Sequence, residues 1–149
     1  MIALAKQRQQ RFLDQIEFFV ADAAKKEQLL SLRRGRPYTK AVSNMAIMDI
    51  ADVTALFSSI AELLESGGCF VFATQHPCFV TLTEKYRTAH PYYGIAIQGQ
   101  PARQCYYHRS LRDPFQLCFD NGFVVDGFFE ESYGDKERPD IIIVRARKR

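Results

Sequence analysis

The chain has 149 residues, of which 47% are hydrophobic and 25% are charged, and its net charge is only +3. These proportions exclude a disordered or fibrous protein and predict one globular domain with a real core. The sequence shows no leading signal peptide and no apolar run near the ~20 residues that a membrane span needs. We therefore predict a cytoplasmic protein.

Charge and cysteine patterns give little support for nucleic-acid or metal binding. Basic residues cluster at Arg33–Arg36 and Arg145–Arg149. No aromatic–basic groove pattern accompanies them, so a solvated terminal tail is favoured over a nucleic-acid contact. The four cysteines lack any Cys-x-x-Cys spacing, which predicts reduced packing residues and no metal site.

In chain order, a helix is predicted over Met1–Phe12 and a strand over Ile16–Val20, which is rich in β-branched and aromatic residues. Asp22 is placed to cap the short helix that follows, Ala23–Leu32. Arg33-Arg34-Gly35-Arg36-Pro37 ends that helix, and Pro37 leads into the next strand.

The stretch from Lys40 to Cys78 organises the rest of the chain. A strand over Tyr38–Ser43 precedes an amphipathic helix over Val53–Leu64, whose apolar residues recur at three- and four-residue steps. Asp52 is a plausible N-cap, and Gly67 or Gly68 can end the helix. An apolar run, Cys69–Ala73, then predicts a buried strand. Such strands present ligand sites at their carboxyl ends, here Ser43-Asn44 and Thr74-Gln75-His76-Pro77.

The second half of the chain starts with a segment of unusual length. Phe79–Tyr107 has no periodicity but many tyrosines, which is typical of a lid or binding segment rather than of disorder. A helix follows over Ser110–Asn121. Strands over Phe123–Glu130 and Asp140–Ala146 then form an antiparallel hairpin.

Several motifs carry a family resemblance. The runs VSNMAIMDI, LLESGG, FVFATQHPCF, YYHRSL and IIIVRARK occur in an order that resembles the second half of a class I S-adenosylmethionine-dependent methyltransferase of the small-molecule branch. The resemblance implies a truncated, Rossmann-like α/β three-layer sandwich, with a mostly parallel sheet that ends in an antiparallel hairpin. It covers nearly the whole chain as a single domain.

The resemblance also implies a cofactor site. Asp22 and Ala23 match the Asp-Ala that lies by the adenine of S-adenosylmethionine, and Asn44 and Met45 match residues near its methionine end. Asp22 as a simple helix cap is the competing interpretation, and the two are compatible. The family's first strand, its glycine-rich loop and its ribose-binding acid have no counterpart here, so weak or absent cofactor binding is expected of the isolated chain.

On the acceptor side, the resemblance implies that Tyr106, Tyr107 and Arg109 face a substrate pocket, whereas anchoring of the long loop is the alternative. Methyl transfer from a sulfonium mainly requires alignment of nucleophile and methyl, so a general base is optional. The candidates are His76, His108 and Asp49, with His76 best placed; its alternative role is to position the turn at Pro77. If the segment is a lid, His76 and His108 should converge on one concavity.

Three functions stay open at this stage. The first is a methyltransferase of small molecules, completed by another chain; the second is a catalytically silent relative that acts as a binding or interaction protein; the third, and most remote, is a nucleic-acid module. The Asp/Asn-Pro-Pro-aromatic signature of nucleobase methylation is absent, which favours a small-molecule acceptor.

The sheet is predicted to have five strands in the order 16–20, 39–44, 69–74, 140–146, 123–129. Its reversed strand is expected at 123–129 or shared through the closing hairpin. Pairing of edge strands between copies, giving a homo-oligomer, is the rival way to cover the bare edge.

Overall fold

A computed structural model describes residues 2–8, 12, 15–95, 101–134 and 137–149. The helices are α1 (Ile2–Arg8), α2 (Lys26–Leu30), α3 (Thr54–Leu63) and α4 (Arg112–Asp120), with a short 3-10 helix at Ile47–Asp49. The strands are β1 (Tyr38–Asn44), β2 (Leu64–Gln75), β3 (His90–Gly94), β4 (Gln104–His108), β5 (Phe123–Glu131) and β6 (Ile141–Lys148). Among the described residues, no helix is both long and apolar enough to cross a bilayer.

The main sheet has four strands in the order β1-β2-β6-β5. This confirms the predicted order for four of the five expected strands, and β5 and β6 form the predicted antiparallel hairpin. β1 and β2 are parallel, while β6 is antiparallel to both β2 and β5. The reversed strand is therefore β6, inside the sheet, and the expectation of a reversal at 123–129 was wrong.

The core lies on one face of this sheet. Phe70 and Phe72 point to that face from β2, and the ring of Phe57 on α3 meets them edge-on at 5.4 and 5.5 Å. Cys118 of α4 and Phe123 of β5 belong to the same fully buried cluster. The predicted amphipathic stripe of α3 thus packs as expected, and Asp52 Oδ1 accepts a hydrogen bond from the Thr54 amide at the helix start.

The opposite face is more open. Val42, Val71 and Arg145 are direct neighbours across β1, β2 and β6 on that face. Val42 is 74% exposed. Phe129 of β5 pairs with Ile143, two residues from Arg145 along β6, and is 53% exposed. The described residues therefore supply the sheet and one helical layer, α3 and α4, of the three layers that the resemblance implies.

The predicted strand Ile16–Val20 does not form. Residues 16–20 have no regular secondary structure and pair with no described strand. Val20 is 89% exposed and Phe19 is 55% exposed. Glu17 pairs with Arg34, and the Arg34 guanidinium lies 5.2 Å from the Phe19 ring centre. Strand-forming residues without a neighbouring strand gain no backbone ladder, so their β-propensity is not realised.

The tyrosine-rich segment is largely ordered. After a series of turns, β3 and β4 form a separate two-stranded antiparallel sheet in which His90 pairs with His108 and Tyr92 with Tyr106. Residues 96–100, within this predicted lid, lie outside the described residues. The hairpin sits over the short 3-10 helix that follows β1.

The basic C-terminus was predicted to be a solvated tail, but it forms part of a strand. Residues 145–148 belong to β6, and Asp126 of β5 accepts hydrogen bonds from Arg145 Nε at 2.8 Å and Arg147 Nε at 3.1 Å. Lys148 Nζ donates to the Leu64 carbonyl at 2.7 Å. These contacts hold the basic residues on the sheet, and Asp126 offsets one of their positive charges.

Candidate functional site

β1 and β2 are parallel, so their carboxyl ends meet at one edge of the sheet, where α/β folds place their ligands. A cavity of about 30 Å³ lies at this edge. Ligand pockets typically measure roughly 300–1,000 Å³, so this cavity is too small to enclose a cofactor. Its lining includes Ile47, Met48, Thr74, Gln75, Thr81, Tyr107, His108, Arg109 and Ser110.

Asn44 and Met45 form the turn that ends β1. Asn44 is exposed, and the Met45 amide donates to the Ala73 carbonyl of β2 at 2.9 Å. Met45 has a φ of 49°, a left-handed conformation that costs a non-glycine residue about 1 kcal/mol or more. Such strain is concentrated at ligand sites, and here the hydrogen bond to β2 holds it in place.

Asp22 and Ala23 lie just before α2. Asp22 Oδ1 accepts from the Ala24 amide at 2.9 Å, and the Asp22 amide donates to Gln28 Oε1 at 2.7 Å. Ala23 packs at the margin of the core. Asp22 is therefore not the cap of α2, because the N-cap is Lys25 and no side chain caps it; Asp22 orders the turn before the helix, and its exposed carboxylate keeps acceptor capacity to spare.

Arg109 follows β4 and reaches back to the loop after β1. Its guanidinium donates to three backbone carbonyls: to Ile47 at 3.1 Å, to Ala51 at 2.7 Å and to Ile50. Burial lowers the pKa of Arg109, partly offset by Asp52 and Asp113. The side chain lines the cavity, but its donors hold the loop that forms the cavity wall.

His108 is 2% exposed and lines the cavity. Its Nε2 lies 2.8 Å from the Tyr86 carbonyl, which can only accept, so Nε2 carries a hydrogen. Its Nδ1 lies 3.0 Å from Thr81 Oγ1, and that hydroxyl also has the Pro77 carbonyl at 3.3 Å. The Thr81 hydroxyl can donate to Nδ1, or accept from it and donate to Pro77. This pair therefore accommodates both protonation states of the ring.

His76 is fixed more rigidly. It is 1% exposed, its Nδ1 accepts from the Cys78 amide at 3.2 Å, and its Nε2 donates to Glu130 Oε1 at 2.7 Å. The ring is turned toward Glu130 of β5 and packs 4.7 Å from the Phe79 ring. A proton on Nδ1 would break the bond to Cys78, so the contacts of His76 match a turn-positioning role.

A side-chain hydrogen bond joins the β3–β4 hairpin to the carboxyl edge of the main sheet. The Tyr92 hydroxyl donates to Gln75 Oε1 at the end of β2, and the Tyr92 ring lies 5.7 Å from the buried ring of Tyr106. Burial, followed by the charges of Tyr106 and Asp49, raises the pKa of Tyr92 to about 12. Partial burial also raises the pKa of Asp49. The hairpin is thus anchored to the carboxyl edge through side chains.

The predicted site residues accordingly separate into groups. Tyr107, His108 and Arg109 line the cavity. Tyr106, in β4, is buried beside Tyr92 of the same hairpin, and His76 faces β5. Sequence patterns did not single out Thr81, Tyr92 or Glu130 as partners of these groups. The pairing of Tyr92 with Gln75 joins residues 17 positions apart, and that of Glu130 with His76 joins residues 54 apart, so no local spacing could have indicated them.

The main sheet and its helices have the fold of class I S-adenosylmethionine-dependent methyltransferases. A methyltransferase structure from Listeria monocytogenes superposes with a TM-score of 0.64 and 21% identity over 76% of this chain and 62% of its own. A Burkholderia thailandensis 1,6-didemethyltoxoflavin N1-methyltransferase superposes with a TM-score of 0.64 and 13% identity over 99% of this chain and 56% of its own. The glycopeptide N-methyltransferase MtfA, solved with S-adenosylhomocysteine, superposes with a TM-score of 0.63 and 16% identity over 100% of this chain and 70% of its own.

These identities establish likeness of fold alone. The chain spans about three fifths of the length of the first methyltransferase structures that it matches. No protein-family model matches the sequence, and no curated protein matches it.

Proposed function

We propose that this chain is a cytoplasmic S-adenosylmethionine-dependent methyltransferase-family protein that acts on a small molecule. The observation that carries the proposal is the likeness of fold to methyltransferases solved with S-adenosylmethionine, S-adenosylhomocysteine or sinefungin. The strained Asn44–Met45 turn at the carboxyl end of β1, where α/β folds bind ligands, supports the same conclusion.

The cofactor fits the described residues only in part. Asn44 is exposed at the end of β1, and the carboxylate of Asp22 is also exposed, so both are available to a ligand. The cavity of about 30 Å³ does not enclose one, and the sequence has no counterpart of the family's glycine-rich loop or of its ribose-binding acid. We therefore propose that the isolated chain binds S-adenosylmethionine weakly, and that a complementing chain or a second copy strengthens the site.

For the acceptor side we propose different roles for the two histidines. His108 is the candidate acid–base group: its Nδ1 takes the proton of the Thr81 hydroxyl as that hydroxyl takes one from the acceptor, while the Tyr86 carbonyl holds the Nε2 hydrogen. His76 positions the 76–80 turn through Glu130 and the Cys78 amide. Tyr107 contributes to the acceptor pocket, and Arg109 maintains its wall.

Calorimetric titration of the purified chain with S-adenosylmethionine tests the cofactor part of this proposal. We expect a dissociation constant weaker than about 1 μM and a further loss in Asn44→Ala, which removes a side chain at the end of β1. Thr39→Ala, an exposed change at the other end of the same strand, is the matched control. A dissociation constant of about 1 μM or lower would contradict weak binding. Equal affinity of Asn44→Ala and wild type would remove Asn44 from the site.

A catalytically silent binding or interaction protein is the second candidate. The observation that favours it is the engagement of His76 and Arg109 in internal bonds together with the small cavity. Methyl transfer to a panel of small amines, phenols and thiols separates the two candidates. Turnover that His108→Asn abolishes and His90→Asn retains supports the enzyme; no turnover with any acceptor supports the silent relative.

A further inference from the structure

Gln75, at the carboxyl end of β2, has hydrogen-bond donors that the fold does not use. Its amide oxygen accepts from the Tyr92 hydroxyl, which keeps its proton at neutral pH because burial raises the pKa of Tyr92 to about 12. The NH₂ group of Gln75 is therefore turned away from Tyr92, and none of the described residues accepts a hydrogen bond from it. Gln75 lines the cavity at the sheet edge, so these donors are available to a ligand there.

The preceding residue, Thr74, has a second underused donor. Its side chain is 8% exposed and lines the same cavity. Its hydroxyl bonds only to Met48 Sδ, at 3.8 Å, and a thioether sulfur is a weak acceptor. Because buried polar groups normally have a good partner, this hydroxyl favours a ligand that brings an oxygen atom into the cavity.

The charge of the cavity wall selects the chemistry of that ligand. Arg109 brings a positive charge, while its Nη1 and Nη2 groups already donate to backbone carbonyls. Among the described residues that line the cavity, none is acidic. A nearby cation favours the ionised form of a hydroxyl and opposes an ammonium group. The wall therefore fits an acceptor that reacts through a hydroxyl rather than through an amine.

The cavity has room for the reacting end of such a molecule. One water molecule needs roughly 10–15 Å³ of space, so the cavity of about 30 Å³ admits two neighbouring oxygen atoms but not the body of a ligand. One oxygen can lie at Thr81, which bonds to His108 and also lines the cavity. The other can accept from Gln75.

We propose that the acceptor is a phenol or enol with a carbonyl oxygen on the neighbouring carbon, and that Gln75 is the residue that selects it. The inference rests on the proposed function and names the acceptor class of the same site. On transfer, the hydroxyl oxygen bonds to the methyl carbon, and the sulfur of S-adenosylmethionine keeps the electrons of the broken C–S bond. The hydroxyl proton passes to Thr81 as the proton of Thr81 passes to His108.

NMR titration of the labelled chain with three small probes tests the proposal without turnover. Tropolone has a hydroxyl beside a carbonyl, phenol lacks the carbonyl, and benzylamine is a cation. We expect tropolone to shift the amides of residues 74, 75, 81 and 108, with an affinity about tenfold or more above that of phenol or benzylamine. No shifts with tropolone, or equal binding of phenol or benzylamine, would overturn the proposal.

Gln75→Glu is the diagnostic variant, since it removes the N–H donors but keeps an oxygen for the Tyr92 hydroxyl. It should bind tropolone about tenfold more weakly. The matched control is Gln104→Glu, because Gln104 Oε1 accepts from the Tyr106 hydroxyl at 3.1 Å but does not line the cavity. Thr74→Val, which keeps the shape of the side chain, should also weaken binding and serves if Gln75→Glu does not fold. Unchanged affinity in Gln75→Glu and Thr74→Val, or an equal loss in Gln104→Glu, would overturn the role of Gln75.

S-adenosylhomocysteine added to the same samples separates this inference from the proposed function. Shifts at Asn44 and Met45 with S-adenosylhomocysteine, together with no preference for tropolone, would contradict the acceptor class alone. Tropolone binding that requires Gln75, without any shift from S-adenosylhomocysteine, would contradict the proposed function and still support the binding of a hydroxyl–carbonyl pair at Gln75.

Discussion

Two apolar segments of similar composition end in different states. Residues 70–73 of β2 (FVFA) lie between β1 and β6, and Phe70 and Phe72 are fully buried. Residues 16–20 (IEFFV) have comparable β-propensity, yet they form no strand and Val20 is 89% exposed. The difference teaches that strand formation here depends on a neighbouring strand with which to pair, not on the residue types alone.

The largest expected effect tests this difference directly. Phe72→Ala should destabilise the protein by about 3–5 kcal/mol, because the ring is fully buried against Phe57. Phe19→Ala, the same change in the exposed segment, should cost less than about 1 kcal/mol, since only the contact with Arg34 is lost. Urea unfolding measures both. Equal costs would mean that residues 16–20 are packed in solution, and the contrast would be lost.

At the carboxyl edge of the sheet, side-chain contacts between distant segments take the place of strand pairing. Arg109 provides one such contact, to residues 47–51. Arg109→Ala should cost roughly 2–3 kcal/mol, because three backbone carbonyls of residues 47–51 lose a charged donor. Arg109→Lys should recover only part of this, since an ammonium lacks the fork geometry. Faster amide hydrogen exchange at residues 47–52, without change in β6, is the expected signature; unchanged exchange there would exclude the role.

Tyr92 gives a pH-dependent test of how the hairpin is held at that edge. Its pKa is about 12 in the folded chain against 10.0 without the fold, so the folded state retains the proton and stability present below pH 10 is lost as the pH rises toward 12. The loss is on the order of 1 kcal/mol after allowance for solvent screening.

The control for this effect is Tyr92→Phe, which should flatten that part of the stability curve. Cys118, whose pKa burial raises to about 12, titrates in the same window and stays in both proteins. The difference between the two curves therefore isolates Tyr92. Identical curves would show that the Tyr92 hydroxyl is not buried under the hairpin and that its pKa is not raised.

The smallest expected effect concerns a buried polar side chain in the helix that packs on β2. Ser59 of α3 is fully buried, and its hydroxyl has no hydrogen-bond partner among the described residues. Ser59→Ala should therefore stabilise the protein by about 0.5 kcal/mol, because a desolvated hydroxyl is removed with little change of volume. Ser58→Ala, one residue away and bonded to the Ala55 carbonyl, is the matched control and should not stabilise. A destabilised Ser59→Ala would indicate a partner for this hydroxyl.

Much of the fold was predictable because it depends on local patterns. The three- and four-residue spacing from Val53 to Leu64 predicted α3, the apolar run at Cys69–Ala73 predicted the centre of β2, and the Asn121-Gly122 stop predicted the end of α4. Gly122, with a φ of 77°, takes the left-handed conformation expected there. The order of four strands followed from the resemblance.

The rest depended on contacts that no local pattern encodes. The fate of residues 16–20 is decided by the absence of a pairing strand among the described residues, not by their composition. Arg109 was predicted to face a substrate, but its donors are used by carbonyls about 60 positions away. The sequence favoured His76 over His108 as the base, and the contacts with Glu130 and Thr81 that distinguish the two rings are not visible in it.

The central claim, that the carboxyl ends of β1 and β2 hold the cofactor of this methyltransferase-like chain, is tested most directly by NMR titration of the labelled protein with S-adenosylhomocysteine. We predict weak, fast-exchange binding, with amide shifts concentrated at Asp22, Ala23, Asn44 and Met45 and little change at Phe123–Glu131. Saturable shifts confined to β5 or to the exposed segment 16–20, or no shifts at any concentration, would contradict the claim.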